Sequence, residues 1–295
     1  MLKNKDWLFL IPGMTTVAVV TQVPFLLTLV YSTLRWNLAR PDLPVKFTWF
    51  KNYWYFLRIQ DWPQIPEFYY IVWQTILITF CALALCTIVG FLLALLLDHA
   101  IPGVNVARTL ILGPFFVMST ASGVIWKTTI LNTTFGWYGV IAKFLGFTPV
   151  DLISYHPIAV IVILFSWRWM PFFVLMMLAG LQSIPEEIVD SMEVDGTNWW
   201  QATFLVKLPM IRKHITVAMM LGLIFLVNEF GLILVTIAGG PGTSSYTLPY
   251  AVYMQVFNAS NVGRAGALAV ITVILTLVGI NVLYHTIQKR SAIYE

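Results

Sequence analysis

Long apolar blocks alternate with short polar stretches along this chain. Six blocks stand out, at about 8–34, 71–97, 109–130, 157–181, 215–237 and 265–287. Each is long enough to cross about 30 Å of hydrocarbon as a helix, which takes about 20 apolar residues. The pattern predicts an all-α polytopic membrane protein with six transmembrane helices, forming one membrane domain over 1–295. Between Asp6 and Arg35 lie 28 uncharged residues. That exceeds the apolar core of a signal peptide and predicts an uncleaved first span. Prolines 24, 114 and 171 fall inside blocks and mark expected kinks.

Composition agrees with the blocks. Mean hydropathy is +0.82, 59% of residues are hydrophobic and 10% are charged. A soluble domain would carry roughly a quarter charged residues. The net charge of +4 fits basic loops against anionic lipid rather than nucleic-acid binding. Cys81 and Cys86 share one apolar block and read as helix-packing residues. The four histidines show no metal-ligand spacing.

Lysine and arginine counts do not settle orientation. Six spans put both termini on one side, with Lys3, Lys5, Arg108, Lys207, Arg212, Lys213, Lys289 and Arg290. The other side also holds eight basic residues. The terminal side has shorter loops, and this density favours cytoplasmic termini. The opposite loops are rich in aromatics, with Trp36, Trp49, Trp54 and Trp62 reading as an interfacial cluster or a folded cap.

The polar stretch EEIVDSMEVDGTNWWQATFLVKLP, residues 186–209, breaks the pattern with five acids and one base. It reads as helix, turn, helix. Ser183 and Glu186 have capping-box spacing, Gly196 is placed to form the turn, and Pro209 to end the second helix. Ile188, Val189 and Met192 share one face. Helices that lie on membranes carry lysine and arginine on their polar face. Acids here point instead to a protein partner.

Asp190-Ser191-Met192, then Gly196, Val206 and Leu208-Pro209, have the spacing of a cytoplasmic-loop motif. The segment resembles that loop in permease subunits of ABC importers, where the triplet is Glu-Ala-Ala and the Val206 position is isoleucine. TIAGGPGTSSYTLPYAVYMQVF at 236–257 and GRAGALAV after it are similar to carbohydrate importers of the maltose type. LLALLLD at 92–98, GPFFVMSTASGVIWK at 113–127 and TPVDL at 148–152 resemble the sorbitol and mannitol subset.

This resemblance implies the type I ABC importer permease fold in a bacterial inner membrane. It implies that 183–209 is a coupling-helix loop, with Glu186, Glu187, Asp190, Ser191, Met192, Asp195, Gly196, Leu208 and Pro209 engaging an ATPase. The chain has no G-x-x-x-x-G-K-[ST] loop, so ATP and Mg are expected on the partner. The implied partners are a second permease subunit, two ATPase subunits, an extracytoplasmic substrate-binding protein and membrane lipid.

A substrate pathway is expected where polar residues meet at mid-membrane depth. Counting about 1.5 Å per residue puts Ser119, Thr120, Arg168, Asn228 and Glu229 at one level. Charged groups at that depth are costly and point to function. Trp167 and Trp169 flank Arg168 and could stack on a sugar, and Tyr253 is a further candidate. Arg168 either recognises substrate or pairs with Glu229. The expected cargo is a sugar alcohol, sugar or sugar derivative; an Arg168 free of Glu229 would suit an anionic sugar. A stand-alone secondary transporter would leave the 186–209 motif without a role. A membrane enzyme would need a titratable cluster that the pattern lacks.

Overall fold

The computed structural model describes residues 7–58, 65–99 and 102–289. Lys3, Lys5, Trp62 and Arg290 lie outside the described residues. The chain begins with α1 (Trp7–Ser32), a strand pair β1 (Leu34–Arg35) and β2 (Lys46–Phe47), and α2 (Lys51–Leu57). The long α3 (Ile65–Asp98) follows. Then come α4 (Val104–Ile111), the single turn α5 (Gly113–Phe116), and α6 (Ser119–Val124), continued by wide π-type turns to Ile130. Helices α7 (Trp137–Phe144) and α8 (Leu152–Tyr155) precede α9 (Pro157–Leu181).

The polar stretch forms α10 (Glu186–Val194), then α11 (Trp199–Gln201) running through wide turns into α12 (Leu208–Met210). The remainder is α13 (Arg212–Val227), α14 (Gly231–Thr236), α15 (Leu248–Tyr253) and α16 (Val262–Lys289).

Four helices are long and apolar enough to cross a membrane, six if each of two sharply bent pairs counts as one span. Two expected spans are not continuous helices. The 109–130 block bends by 97° between α5 and α6. Val117 (ψ 132°) and Met118 (ψ 143°) are extended there, three residues beyond Pro114. The 215–237 block starts earlier, at Arg212, and breaks after Val227. Asn228, Glu229 and Phe230 leave the helix before α14 resumes at Gly231. A second bend, of 65°, separates α12 from α13 at Ile211.

The chain divides into two compact units where the hydropathy pattern reads as one domain. Two of its three boundaries fall inside continuous apolar helices, α3 and α16, where no sequence marker announces them. One unit comprises the residues up to Tyr70 together with Leu248–Ile274. In it, the 34–58 segment is a folded cap. Asn52 Nδ2 donates to the Ser32 and Leu34 carbonyls, both at 2.8 Å, and Tyr53 hydroxyl donates to Ser32 Oγ at 2.6 Å. Gly263 sits so close to the Leu34 carbonyl that a Cβ there would meet it at 2.0 Å. Arg264 caps the Tyr55 ring, 3.5 Å from its centre.

The second unit comprises Ile71–Thr247 and the residues from Leu275. Helix α9 is its axis, with Ile161, Leu164, Phe165, Phe173, Val174 and Met177 buried. Small residues let neighbours come near. A Cβ at Gly90 of α3 would lie 2.9 Å from Phe173 Cβ, and one at Gly222 of α13 would lie 2.3 Å from the tip of the Phe173 ring. Gly180 on α9 accepts the His214 ring of α13 in the same way.

Candidate functional site

Two groups of residues carry chemistry, both in the second unit. The first is the polar stretch between α9 and α13. Glu186 and Glu187 begin α10, where a helix N-terminus favours negative charge. The expected capping box at Ser183 does not form. Its hydroxyl donates instead to the Gly180 carbonyl at 2.7 Å, closing the end of α9, and α10 starts on Pro185 without a side-chain cap.

At the other end, Gly196 takes φ +64°. Its N–H bonds to the Glu193 carbonyl, and the Thr197 N–H bonds to the Met192 carbonyl, both at 3.1 Å. That is a Schellman closure, which needs a residue free to adopt the left-handed conformation. The capping box sits two residues later: Asn198 Oδ1 accepts from Gln201 N–H at 2.9 Å, and Gln201 Oε1 accepts from Asn198 N–H at 3.0 Å. Both ends of the turn are thereby fixed. Pro209 does not end the second helix. It lies in its last turn, and the chain bends after it at Ile211.

Met192 is buried and Ile188 and Val189 are half-buried, so one face of α10 packs inward. Glu186, Glu187, Asp190, Ser191, Asp195, Gly196 and Pro209 are exposed, and Leu208 is half-buried. Apolar side chains share this surface: Val194 is 87% exposed, and Trp200, stacked on Phe204, stands out beside Leu205. Periodicity does not mark Phe204 and Leu205, because the wide turns at Ala202–Lys207 shift the helical register. Lys207 Nζ lies 3.8 Å from Asp98 at the end of α3, and Arg108 Nη2 donates to the Leu97 carbonyl at 2.6 Å.

The second group is centred on Glu229. Its side chain is 6% exposed and gathers three donors. Arg168 Nη1 is 2.9 Å from Oε2, Trp169 Nε1–H donates to the same oxygen at 3.2 Å, and Ser119 hydroxyl donates to Oε1. Arg168 Nε also donates to the Val117 carbonyl at 3.4 Å. The guanidinium therefore serves a backbone carbonyl freed by the α5–α6 break and the side-chain carboxylate of a residue in the α13–α14 break. Non-helical backbone at membrane depth is tolerated where such groups are satisfied inside protein. Aromatic packing holds the knot: Trp169 stacks on Phe225 at 4.6 Å, and Phe115 meets Trp169 edge-on.

The remaining expected pathway residues lie apart from that knot. Thr120 and Asn228 are exposed beside it, and the Asn228 amide donates back to the Ile224 carbonyl at 2.7 Å. Trp167 packs edge-on against Trp126 at 5.6 Å. Tyr253 belongs to the other compact unit, next to Phe257. Among the described residues, no group of three or more His, Cys, Asp or Glu is placed to hold a metal.

Comparison with known proteins gives this arrangement a context. Residues 104–292 match the family described as binding-protein-dependent transport system inner membrane component. The trehalose/maltose transport system permease protein MalF of Thermococcus litoralis is 29% identical over 274 residues, 92% of this chain and 89% of that protein. The sulfoquinovosyl glycerol transport system permease protein SmoG of Agrobacterium fabrum is 28% identical over 251 residues, 84% of this chain and 79% of that one. A solved bacterial ABC transporter involved in import of the acidic polysaccharide alginate aligns with a TM-score of 0.77 at 17% identity. The match covers 97% of this chain and 96% of that one. The likeness establishes the type I permease fold.

Proposed function

The chain belongs to the family of binding-protein-dependent transport system inner membrane components, and from that premise we propose that it is a permease subunit of an ATP-driven carbohydrate importer. It is an integral inner-membrane protein. The names of its relatives, trehalose/maltose and sulfoquinovosyl glycerol transport proteins, support a carbohydrate cargo. In this reading both termini are cytoplasmic and the 186–209 loop docks on a separate ATPase subunit, which binds ATP and Mg. A second permease subunit completes the path, and a substrate-binding protein delivers cargo from outside.

The rigid acidic loop carries the proposal. Its turn is closed by Gly196 and locked by the Asn198–Gln201 box. Its surface mixes carboxylates with exposed Val194 and Trp200. Anionic lipid repels such a surface, whereas a protein groove with basic and apolar walls fits it.

The cargo we infer is an uncharged sugar or sugar alcohol. Arg168, the charged group at mid-depth, already has Glu229 as its counter-ion. Polar side chains at that depth avoid lipid, so exposed Thr120 and Asn228 would line the path and offer hydroxyl and amide groups to a polyol. The relationship to a sulfoquinovosyl glycerol permease favours a second reading, an anionic sugar derivative. That cargo would have to compete with Glu229 for Arg168.

Co-purification of the assembled transporter tests the assignment. Deleting 186–198 is expected to abolish recovery of the ATPase with this chain while leaving the chain in the membrane. Undiminished recovery would refute the docking role.

A further inference from the structure

The two broken spans meet in a way that assigns them a shared motion. Helices α6 and α14 are the continuations of the two spans beyond their breaks, so they leave those breaks toward the same membrane side. Glycines bring them into backbone contact. A Cβ on Gly123 of α6 would lie 2.8 Å from Thr236 Oγ1, 3.3 Å from the Leu232 carbonyl and 3.4 Å from Val235 Cβ, all on α14. A Cβ on Gly231 would lie 3.2 Å from Ser119 Oγ and 3.3 Å from Thr120 Cγ2 on α6. Beyond the seam, Lys127 Nζ donates to the Val235 carbonyl at 3.3 Å. Close small-residue seams of this kind hold helices together where lipid provides no hydrophobic drive.

The breaks themselves share one anchor. Arg168 Nε holds the Val117 carbonyl and Arg168 Nη1 holds Glu229, so a single side chain of α9 touches both irregular segments. The planar fork of a guanidinium holds two such acceptors in a fixed relative geometry, which a lysine's rotatable ammonium does not. Outside the breaks, α4 and α13 carry the rest of each span.

We propose that 119–130 and 231–236 form one rigid leaf, hinged at Val117–Met118 and Asn228–Phe230 about Arg168, and that this leaf swings as a unit during the transport cycle. Gly123, Gly231, Glu229 and Arg168 are then positioning residues: they hold the leaf together and fix its axis. The seam needs no substrate to form, and the inference rests on the importer reading only for the cycle that moves it.

Pulsed electron–electron resonance on the assembled transporter tests it, with Cys81 and Cys86 replaced by alanine. Spin labels at Thr128 and Leu234 report within the leaf, and labels at Leu110 and Thr128 report across a hinge. The distances are compared between the nucleotide-free complex and the complex trapped with ATP and vanadate. The proposal expects no shift within the leaf and a shift across the hinge. A shift within the leaf overturns it, and so does a trapped complex with no shift across the hinge.

A disulfide gives an independent check. With Ser119 and Gly231 both changed to cysteine, the 3.4 Å approach between the Ser119 Cβ and a Cβ at 231 is near the roughly 3.5–4.5 Å a disulfide needs. The oxidised complex should keep the cross-hinge shift; its loss overturns the rigid leaf. Arg168→Lys, which keeps the charge but not the fork, should broaden the cross-hinge distance distribution. An unbroadened distribution overturns the role of Arg168 as the axis. None of these readouts involves the 186–198 deletion, so failure here and failure of ATPase docking are distinguishable.

Discussion

Arg168 of α9 meets Glu229, in the break between α13 and α14, at 2.9 Å, with side chains 16% and 6% exposed. Removing one partner of a buried pair leaves an uncompensated charge, at a cost of roughly 3–5 kcal/mol. Arg168→Gln and Glu229→Gln should each lower the melting temperature of the purified transporter substantially. The double variant should lose much less than the sum of the two. A strictly additive thermal-shift cycle would show that the pair does not act as a unit.

Gly222 faces the tip of the buried Phe173 ring, and a Cβ there would lie 2.3 Å from it. Overpacking a tight core costs about 1–3 kcal/mol. Gly222→Ala should therefore destabilise the protein, and adding Phe173→Leu should restore part of the loss. Denaturation monitored by circular dichroism in detergent gives the comparison. An absence of rescue would mean that the strain is relieved elsewhere.

Nothing lies within 4 Å of a Cβ at Gly196, so a substitution there acts through the backbone alone. Its φ of +64° costs an ordinary L-residue roughly 1–2 kcal/mol. Gly196→Val should loosen the turn and raise amide exchange over 192–201, and Gly196→Asn should do so less. Asn198→Ala, which removes the cap, should cost about 1 kcal/mol and raise exchange in the same segment. Equal exchange in valine and asparagine variants would contradict the conformational origin.

Asn52 bridges two carbonyls of the 32–34 segment. Asn52→Ala leaves both without that donor, and each lost hydrogen bond is worth about 0.5–1.5 kcal/mol. Limited proteolysis should then cut the 34–58 cap faster than in the parent protein. Unchanged cleavage would show that Tyr53 and the Arg264–Tyr55 contact hold the cap without Asn52.

Hydropathy reveals the long helices because lipid demands them; α9 spans the same Pro157–Leu181 in pattern and structure. The Gly196 turn is legible because its backbone conformation restricts the residue type. The helix breaks are not. Pro114 marks the neighbourhood of the first, yet the chain turns only at Val117, where Arg168 of a distant helix takes up the freed carbonyl. The second break has no proline at all. There Glu229 accepts from three donors, Ser119, Arg168 and Trp169, a tertiary relation with no local signature. Ser183 misled for the opposite reason: a capping pattern existed, but the end of α9 claimed the hydroxyl first. Tyr253 shares a side-chain chemistry with the other pathway residues, and depth along a helix does not reveal that it belongs to another compact unit.

The central claim is that the 186–209 loop is the contact through which an ATPase drives this chain. Ser191 is exposed on α10, and its hydroxyl bonds locally, to the Ile188 carbonyl at 2.8 Å. Ser191→Cys in the assembled, ATP-hydrolysing complex can be treated with a short maleimide–succinimidyl ester cross-linker, which joins the thiol to a nearby lysine amine, and resolved by mass spectrometry. The account predicts a cross-link from residue 191 to the ATPase subunit. An active complex in which that cysteine yields no such cross-link and reacts freely with a water-soluble maleimide would contradict it.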